Sequence, residues 1–270
     1  MTRASHIALA LASVSTVALT AAAQAQPVTN WTGFYVGLNA GAARGHSDVA
    51  TSIPCAGLVS PPAYFCAGAS PGIAAPVAAA GTGSMSRTGF TGGVQAGYNW
   101  QINSLVLGAE LDVGAFDVGG SRAVSQLTVT GGLAVPGGTV YTVASALDTD
   151  WLFTARGRIG WAFGNALLFA TGGLAVTNVE ASHSYVDTNV NGPATGAWRA
   201  SETRTGWTIG GGFEWAFARN WSVKAEYLYL DFGSITASGL VTQPGGYVHA
   251  ISTTTDLTAH IARAGVNFRF

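Results

Sequence analysis

Asp148 and Asp150 are the first residues whose type and spacing suggest chemistry. Two carboxylates two positions apart form the pattern of a general acid–base pair, and His183, His249 and His260 follow downstream. Brought to one end of a fold, that set reads as a surface-facing protease or lipid-modifying enzyme, and the histidines alone as a catch for metal or haem. Their spacing specifies no ligand geometry, and polar residues at exposed chain ends need no catalytic role. Gly68-Ala69-Ser70-Pro71-Gly72 has the letters of a hydrolase nucleophile elbow without the preceding strand and following helix that give it meaning. Asn30-Trp31-Thr32 and Asn220-Trp221-Ser222 match glycosylation sequons in letters alone. Cys55 and Cys66 lie eleven positions apart in a Gly/Pro-rich stretch, with neither CxxC spacing nor a His/Cys cluster for zinc. They are expected to form a local disulfide if the compartment is oxidising. No catalytic, cofactor-binding or metal site is assigned.

Composition points to that compartment. The 270 residues carry 12 Lys+Arg against 13 Asp+Glu, a net charge of -1 that offers no footprint for nucleic acid. Charged residues are 9% of the chain where a soluble domain averages about 25%, so much of the surface is expected to face lipid. Arg3, the uncharged run Ile7 to Ala23 and the small residues of Ala23-Gln24-Ala25 read as a cleaved secretory signal. Residues 1–25 are therefore expected to be removed, leaving 26–270 as a single domain. Val49 to Ser86 is uncharged, but Pro54, Pro61, Pro62, Pro71 and Pro76 prevent a membrane helix and mark it as a loop. An exported, charge-poor chain without membrane helices must satisfy its backbone between strands of a closed barrel.

Period-two alternation supplies those strands. Eight segments set an apolar face against a small or polar one: Gly33–Arg44, Thr88–Gln101, Leu105–Asp117, Leu147–Phe163, Leu167–Glu180, Arg204–Phe217, Trp221–Phe232 and Asp256–Phe270. Three links are short, namely Ile102-Asn103-Ser104, Gly164-Asn165-Ala166 and Ala218-Arg219-Asn220, and the others are long. The expected fold is all-β, an eight-stranded antiparallel up-and-down transmembrane barrel with short periplasmic turns and long extracellular loops. Trp100, Trp161, Phe163, Trp215, Phe217, Trp221, Phe268 and Phe270 fall beside the short turns as one aromatic girdle. Phe116, Trp151, Trp207, Tyr229 and Phe232 are the expected opposite rim.

Four blocks carry a family resemblance: Trp31-Thr32-Gly33-Phe34-Tyr35-Val36-Gly37, Gly206 to Trp215, Asn220 to Tyr229, and Arg263-Ala264-Gly265-Val266-Asn267-Phe268-Arg269-Phe270. They resemble alphaproteobacterial outer-membrane immunogenic proteins, porin-family surface antigens with an OmpA-like eight-stranded barrel. The resemblance implies the cell outer membrane, with outer-membrane lipid and the barrel assembly machinery as partners and Phe270 as the assembly signal. Val49 to Ser86 departs from the family in being long, Pro/Ala-rich and cysteine-bearing.

Parity turns Glu110, Asp112, Arg156, Arg158, Glu214, Lys224, Glu226 and Arg263 inward, four acids against four bases. An eight-stranded barrel is only wide enough for its own side chains, so these charges are expected to form ion pairs that plug the lumen. The alternative is a narrow small-solute pore lined by the same charges, favoured by inward Gly37, Gly93, Gly108, Gly160, Gly210 and Gly212, which would leave free volume. The expected role is non-enzymatic, combining envelope structure with surface-loop display. The loops are Gly45–Arg87, Val118–Ala146, Ala181–Thr203 and Gly233–Thr255, with a possible hairpin over Leu127–Val143, and their composition names no ligand.

Overall fold

A computed structural model of the chain describes residues 29–55, 65–66, 73–128, 139–189 and 192–270. The expected signal, Gly68–Gly72 and Pro136-Gly137-Gly138 lie outside them. Ten strands and one short helix follow in order: β1 (Gly33–Ser52), α1 (Ala74–Gly81), β2 (Gly83–Ile102), β3 (Leu105–Phe116), β4 (Gly119–Thr128), β5 (Thr139–Asp148), β6 (Trp151–Phe163), β7 (Ala166–Asp187), β8 (Thr195–Ala216), β9 (Trp221–Gln243) and β10 (Tyr247–Arg269). Antiparallel ladders close β1, β2, β3, β6, β7, β8, β9 and β10 into a ring of eight. The closing ladder runs from Tyr35↔Arg269 to Ser52↔Ser252.

The three short links are tight turns at one end of the ring. Asn103 and Gly164 hold positive φ (55° and 62°) there, as such reversals require. Around these turns the outer wall is aromatic, with Trp100, Trp161, Phe163, Trp215, Phe217, Trp221 and Phe270 exposed. Above them it is aliphatic: Val36, Leu38, Val94, Leu111, Val113, Ile159, Leu168, Ile209 and Val266 all point out. A soluble protein does not expose an apolar belt around its whole circumference; a barrel in lipid must. Of the expected opposite rim, Trp151, Trp207 and Tyr229 lie on the outer wall, whereas Phe116 and Phe232 are buried inside. The correction follows from parity, since position 116 shares the inward face of Glu110 and Asp112.

The larger correction concerns the loops. A strand crosses hydrocarbon in about 9–11 residues, yet β7 to β10 run to 22 or 23 residues and β1 and β2 to 20. Most of Ala181–Thr203 and Gly233–Thr255, and both ends of Gly45–Arg87 (Gly45–Ser52 and Gly83–Arg87), are therefore wall, not loop. The segment Val118–Ala146 contains β4 and most of β5, which pair from Gly119↔Asp148 to Thr128↔Thr139 and continue the wall where β3 and β6 stop. Thr149 Oγ1 bridges that junction to the carbonyls of Phe116 and Val118.

Above the membrane band the ring loosens. Among the described residues no ladder joins β2 to β4, and the β8–β9 ladder lapses between Gly196 and Trp207. The upper half is thus two facing four-stranded sheets, β9-β10-β1-β2 and β4-β5-β7-β8. Helix α1 sits against β1, β4 and β5 with Val77 and Ala80 buried. Its last carbonyls are taken by Thr51 Oγ1 on Gly81 (3.0 Å) and Arg122 Nη1 on Ala80 (2.7 Å). Pro76 stands in the first turn, where its missing N–H costs no helical bond.

Candidate functional site

The lumen of the membrane-embedded half is the candidate site. Alternation on β3, β6, β8, β9 and β10 turns Glu110, Asp112, Arg156, Arg158, Glu214, Lys224, Glu226 and Arg263 inward, and each is buried. Register sets opposite charges side by side: Glu110 faces Arg156, Glu214 faces Lys224, and Glu226 faces Arg263.

All eight are ion-paired. Arg156 bonds Glu110 and Glu226 (3.1 Å to the latter), and Lys224 Nζ lies 3.0 Å from Glu110 and 3.4 Å from Glu226. Arg263 reaches Glu226 at 2.6 Å and Asp112 at 3.0 Å, and Arg158 bonds Glu214. Glu226 therefore meets three bases. Neutral groups add donors to the acids: Tyr35 donates its hydroxyl to Glu110 (2.7 Å), Asn39 donates to Asp112 (2.6 Å), and Ser222 and Asn267 donate to Glu214 (2.6 and 2.9 Å). The Arg158 guanidinium stacks 3.8 Å over the Phe169 ring. Charges this deeply buried persist only when paired and hydrogen-bonded.

Tyr35, Asn39, Gln95 and Asn267 complete this cluster and were not singled out as network members in the sequence. Their signal was available: each falls on the small or polar face of its strand.

The inward glycines do not leave the free volume expected of them. A Cβ at Gly37 would meet Asn267 Oδ1 at 2.1 Å, one at Gly108 would meet Asn99 Oδ1 at 2.4 Å, one at Gly160 would meet Leu167 at 2.8 Å, and one at Gly212 would meet Phe169 at 2.7 Å. Adjacent side chains lie across these positions and occupy the space. At Gly93 and Gly210 the first obstacle is the neighbouring strand's backbone, at 2.1 Å in both, and at Gly212 it is the Ala225 carbonyl at 2.3 Å, ahead of Phe169.

Apolar layers lie on both sides of the charges. Trp31, Val106, Ala162, Leu167 and Ala216 pack at the short-turn end, with the Arg269 guanidinium 5.1 Å from the Trp31 ring centroid. On the far side Phe116, Leu152, Leu228, Leu230, Phe232, Leu257 and Ile261 fill the interior. Beyond them Phe65, Val77, Tyr141, Tyr185, Trp198 and Ile251 form a second apolar layer. Cys55 and Cys66 are bonded to each other there, with Cα atoms 5.5 Å apart. Cys66 Sγ also lies 3.5 Å from His249 Nε2, but two sulfurs joined together offer no thiolate to a metal.

The other chemistry-bearing residues do not converge. Asp148 lies 3.9 Å from Arg87, and Asp150 accepts a bond from Asn178 (2.8 Å). His183 and His249 are buried inside the upper half, where burial lowers the pKa of His183 to about 4 and that of His249 below its ordinary value. His183 contacts Ser145 Oγ (2.9 Å) and stacks on Trp198, out of reach of substrate. His260 is on the outer wall. Phe270 ends the chain beside the short turns, its N–H donated to Phe34 (3.0 Å).

Residues 9–270 match the outer membrane protein beta-barrel domain family. The chain is 32% identical over 243 residues to a 31 kDa outer-membrane immunogenic protein of Brucella melitensis, covering 89% of this chain and 84% of that one. It is 30% identical over 146 residues to a 22 kDa outer membrane protein of Rhizobium leguminosarum, covering 54% of each. Among solved structures, Neisserial surface protein A is similar at 14% identity and a TM-score of 0.36, covering 88% of this chain and 98% of that one. With its family-wide match, its aliphatic outer belt and its closed ring of strands, the chain belongs to the outer membrane protein β-barrel domain family and resides in the outer membrane.

Proposed function

We propose that this protein is a non-enzymatic, non-conducting barrel that contributes to envelope structure and presents its upper half outside the cell. The observation that carries this reading is the layered filling of the interior among the described residues: an apolar floor, a layer in which each of eight buried charges is ion-paired, and two apolar layers above it. A small-solute pathway would have to break four buried acids from their bases and displace the side chains packed above. What extends outward in this reading is the two-sheet body.

The test is single-channel conductance of the full chain folded in detergent, with β-type circular dichroism and heat-modifiable gel mobility to establish folding. The expected result is silence from folded protein. Reproducible conductance steps that shift on Arg156→Gln or Glu214→Gln would make the protein a small-solute porin. Peptidase or esterase turnover abolished by Asp150→Ala would make it an enzyme.

A further inference from the structure

The outer wall carries one row of residues that neither the lumen nor the apolar belt explains. On β1 the outward positions Phe34, Val36, Leu38, Ala40 and Ala42 are followed by Arg44, and on β10 Phe268, Val266, Ala264 and Ala262 are followed by His260. From Phe34 through Ala42 β1 spans nine residues, about the length that crosses hydrocarbon. Arg44 and His260 therefore stand where the outer leaflet's headgroups begin.

The ladders make these residues neighbours. Arg44 is paired with His260, and His260 with Tyr229. Tyr227 Oη lies 2.5 Å from His260 Nδ1, the Tyr229 and His260 rings are 5.1 Å apart, and the Trp207 and Tyr229 rings 5.4 Å apart. Arg44 is exposed, and among the described residues no ion pair includes it. Its ladder partner on β2 is the neutral Thr88, and Asp48, further along its own outward face, is turned to His46 at 3.5 Å. The other two arginines near this rim, Arg87 and Arg204, are both engaged with carboxylates. Directly toward the membrane the wall recedes into a shallow trough of about 530 Å³ floored by Ala40, Gly211, Ala225, Ala262 and Ala264.

We propose that this face docks one phosphorylated, acylated disaccharide of the outer leaflet, a lipid A-type glycolipid. The phosphate takes Arg44 as its charge-assisted partner, the sugar lies against Trp207 and Tyr229, and acyl chains fill the trough of small residues. An ordinary phospholipid could use the cation and the trough but would leave the Tyr229–Trp207 aromatic pair without a ring to cover. The inference does not depend on whether the lumen conducts.

The experiment is native mass spectrometry of the full chain folded in detergent and titrated with monophosphoryl lipid A or, separately, phosphatidylglycerol. The expected result is saturable binding of one lipid A per chain, at least about tenfold tighter than phosphatidylglycerol. Arg44→Ala should weaken lipid A about tenfold and Arg44→Lys by less, because the cation survives. Trp207→Ala should weaken lipid A several-fold and leave phosphatidylglycerol unchanged. Arg199→Ala, an exposed arginine higher on the wall, should change neither. Equal affinity for the two lipids, unchanged lipid A binding in folded Arg44→Ala and Arg44→Gln, or an equal loss in Arg199→Ala would overturn the proposal.

Discussion

The two halves of this barrel use the same strands with opposite polarity. In the membrane half β9 turns Ser222, Lys224 and Glu226 inward and Val223 and Ala225 outward; further along it turns Leu228, Leu230 and Phe232 inward, then Ile235 and Ala237 inward against Ser234, Thr236 and Ser238 outside. Strand β10 repeats the inversion, with Arg263 and Asn267 inside below and Ile251, Leu257 and Ile261 inside above. Parity on β9 changes where a bulge sets two residues against one: the register slips between Thr258↔Asp231 and Asp256↔Ser234, with Gly233 at φ 64°. The solvent on the outer face dictates the contrast. Lipid demands an apolar exterior and a closed hydrogen-bond ring, so polar groups collect inside and must pair among themselves. Above the lipid, water accepts hydroxyls and open strand edges, so the ladder can lapse beside Trp198 and the interior becomes that of an ordinary β-sandwich.

Breaking the charge layer should have the largest effect. Arg156→Gln leaves Glu110 and Glu226 each short of a buried base, a loss of about 3–5 kcal/mol. Heat-modifiable gel mobility should report a lower unfolding temperature for the whole barrel. Leu257→Ala, a fully packed position of the upper half, should cost about 2–5 kcal/mol with a different footprint. Hydrogen exchange should lose protection in the upper parts of β9 and β10 and retain it around Arg263. If the Leu257→Ala loss spreads evenly to the membrane half, the two halves are one cooperative unit and the contrast is only compositional.

How much of this was legible in the sequence follows from the same contrast. In the membrane half the alternation has high amplitude, as in Trp215 and Phe213 against Glu214 or Val266 and Phe268 against Asn267, so strand positions, short turns and inward charges could be read directly. In the upper half many outward residues are serine, threonine or alanine, as with Ser234, Thr236 and Ser238 of β9, and several inward ones are small, as with Ala43, Gly45 and Ser47 of β1. Low amplitude there resembles loop composition, so these stretches of wall read as loop in the sequence. The run Ser234-Ile235-Thr236-Ala237-Ser238 does alternate, and a strand could have been extended on it. The filling of inward glycine positions by Asn267, Asn99 and Phe169 was not legible, because it depends on which residues the register brings across from neighbouring strands.

Acid should separate the halves next. The His183 imidazole takes its proton near 6.5 when unfolded but only near 4 when buried, so the folded upper half disfavours protonation. Stability tied to His183 is fully present above pH 6.5, falls as pH drops from 6.5 toward 4, and is wholly lost below 4. That loss is at most about 3 kcal/mol, and His249, whose pKa burial also lowers, acts in the same direction. Limited proteolysis between pH 7 and 4 should therefore expose the upper strands first while gel mobility of the membrane half persists, and His183→Gln should shallow the dependence. An unchanged profile in that variant would remove His183 as its source.

The smallest effect should come from charge placed on the upper outer wall. Thr254 points out from β10 and shares a 2.9 Å hydroxyl contact with Thr236 of β9, so Thr254→Lys removes one exposed hydrogen bond and adds a cation that water solvates. Stability should change by no more than about 0.5 kcal/mol. Ala264 occupies the equivalent outward parity ten residues along the same strand, inside the aliphatic belt, and there the same lysine should cost about 2–4 kcal/mol. Outward positions between them, Thr258 and Ala262, would locate the boundary to within one strand repeat. A penalty at Thr254 as large as that at Ala264 would mean that lipid rises along the two-sheet half, and its serine and threonine surface would then need a different explanation.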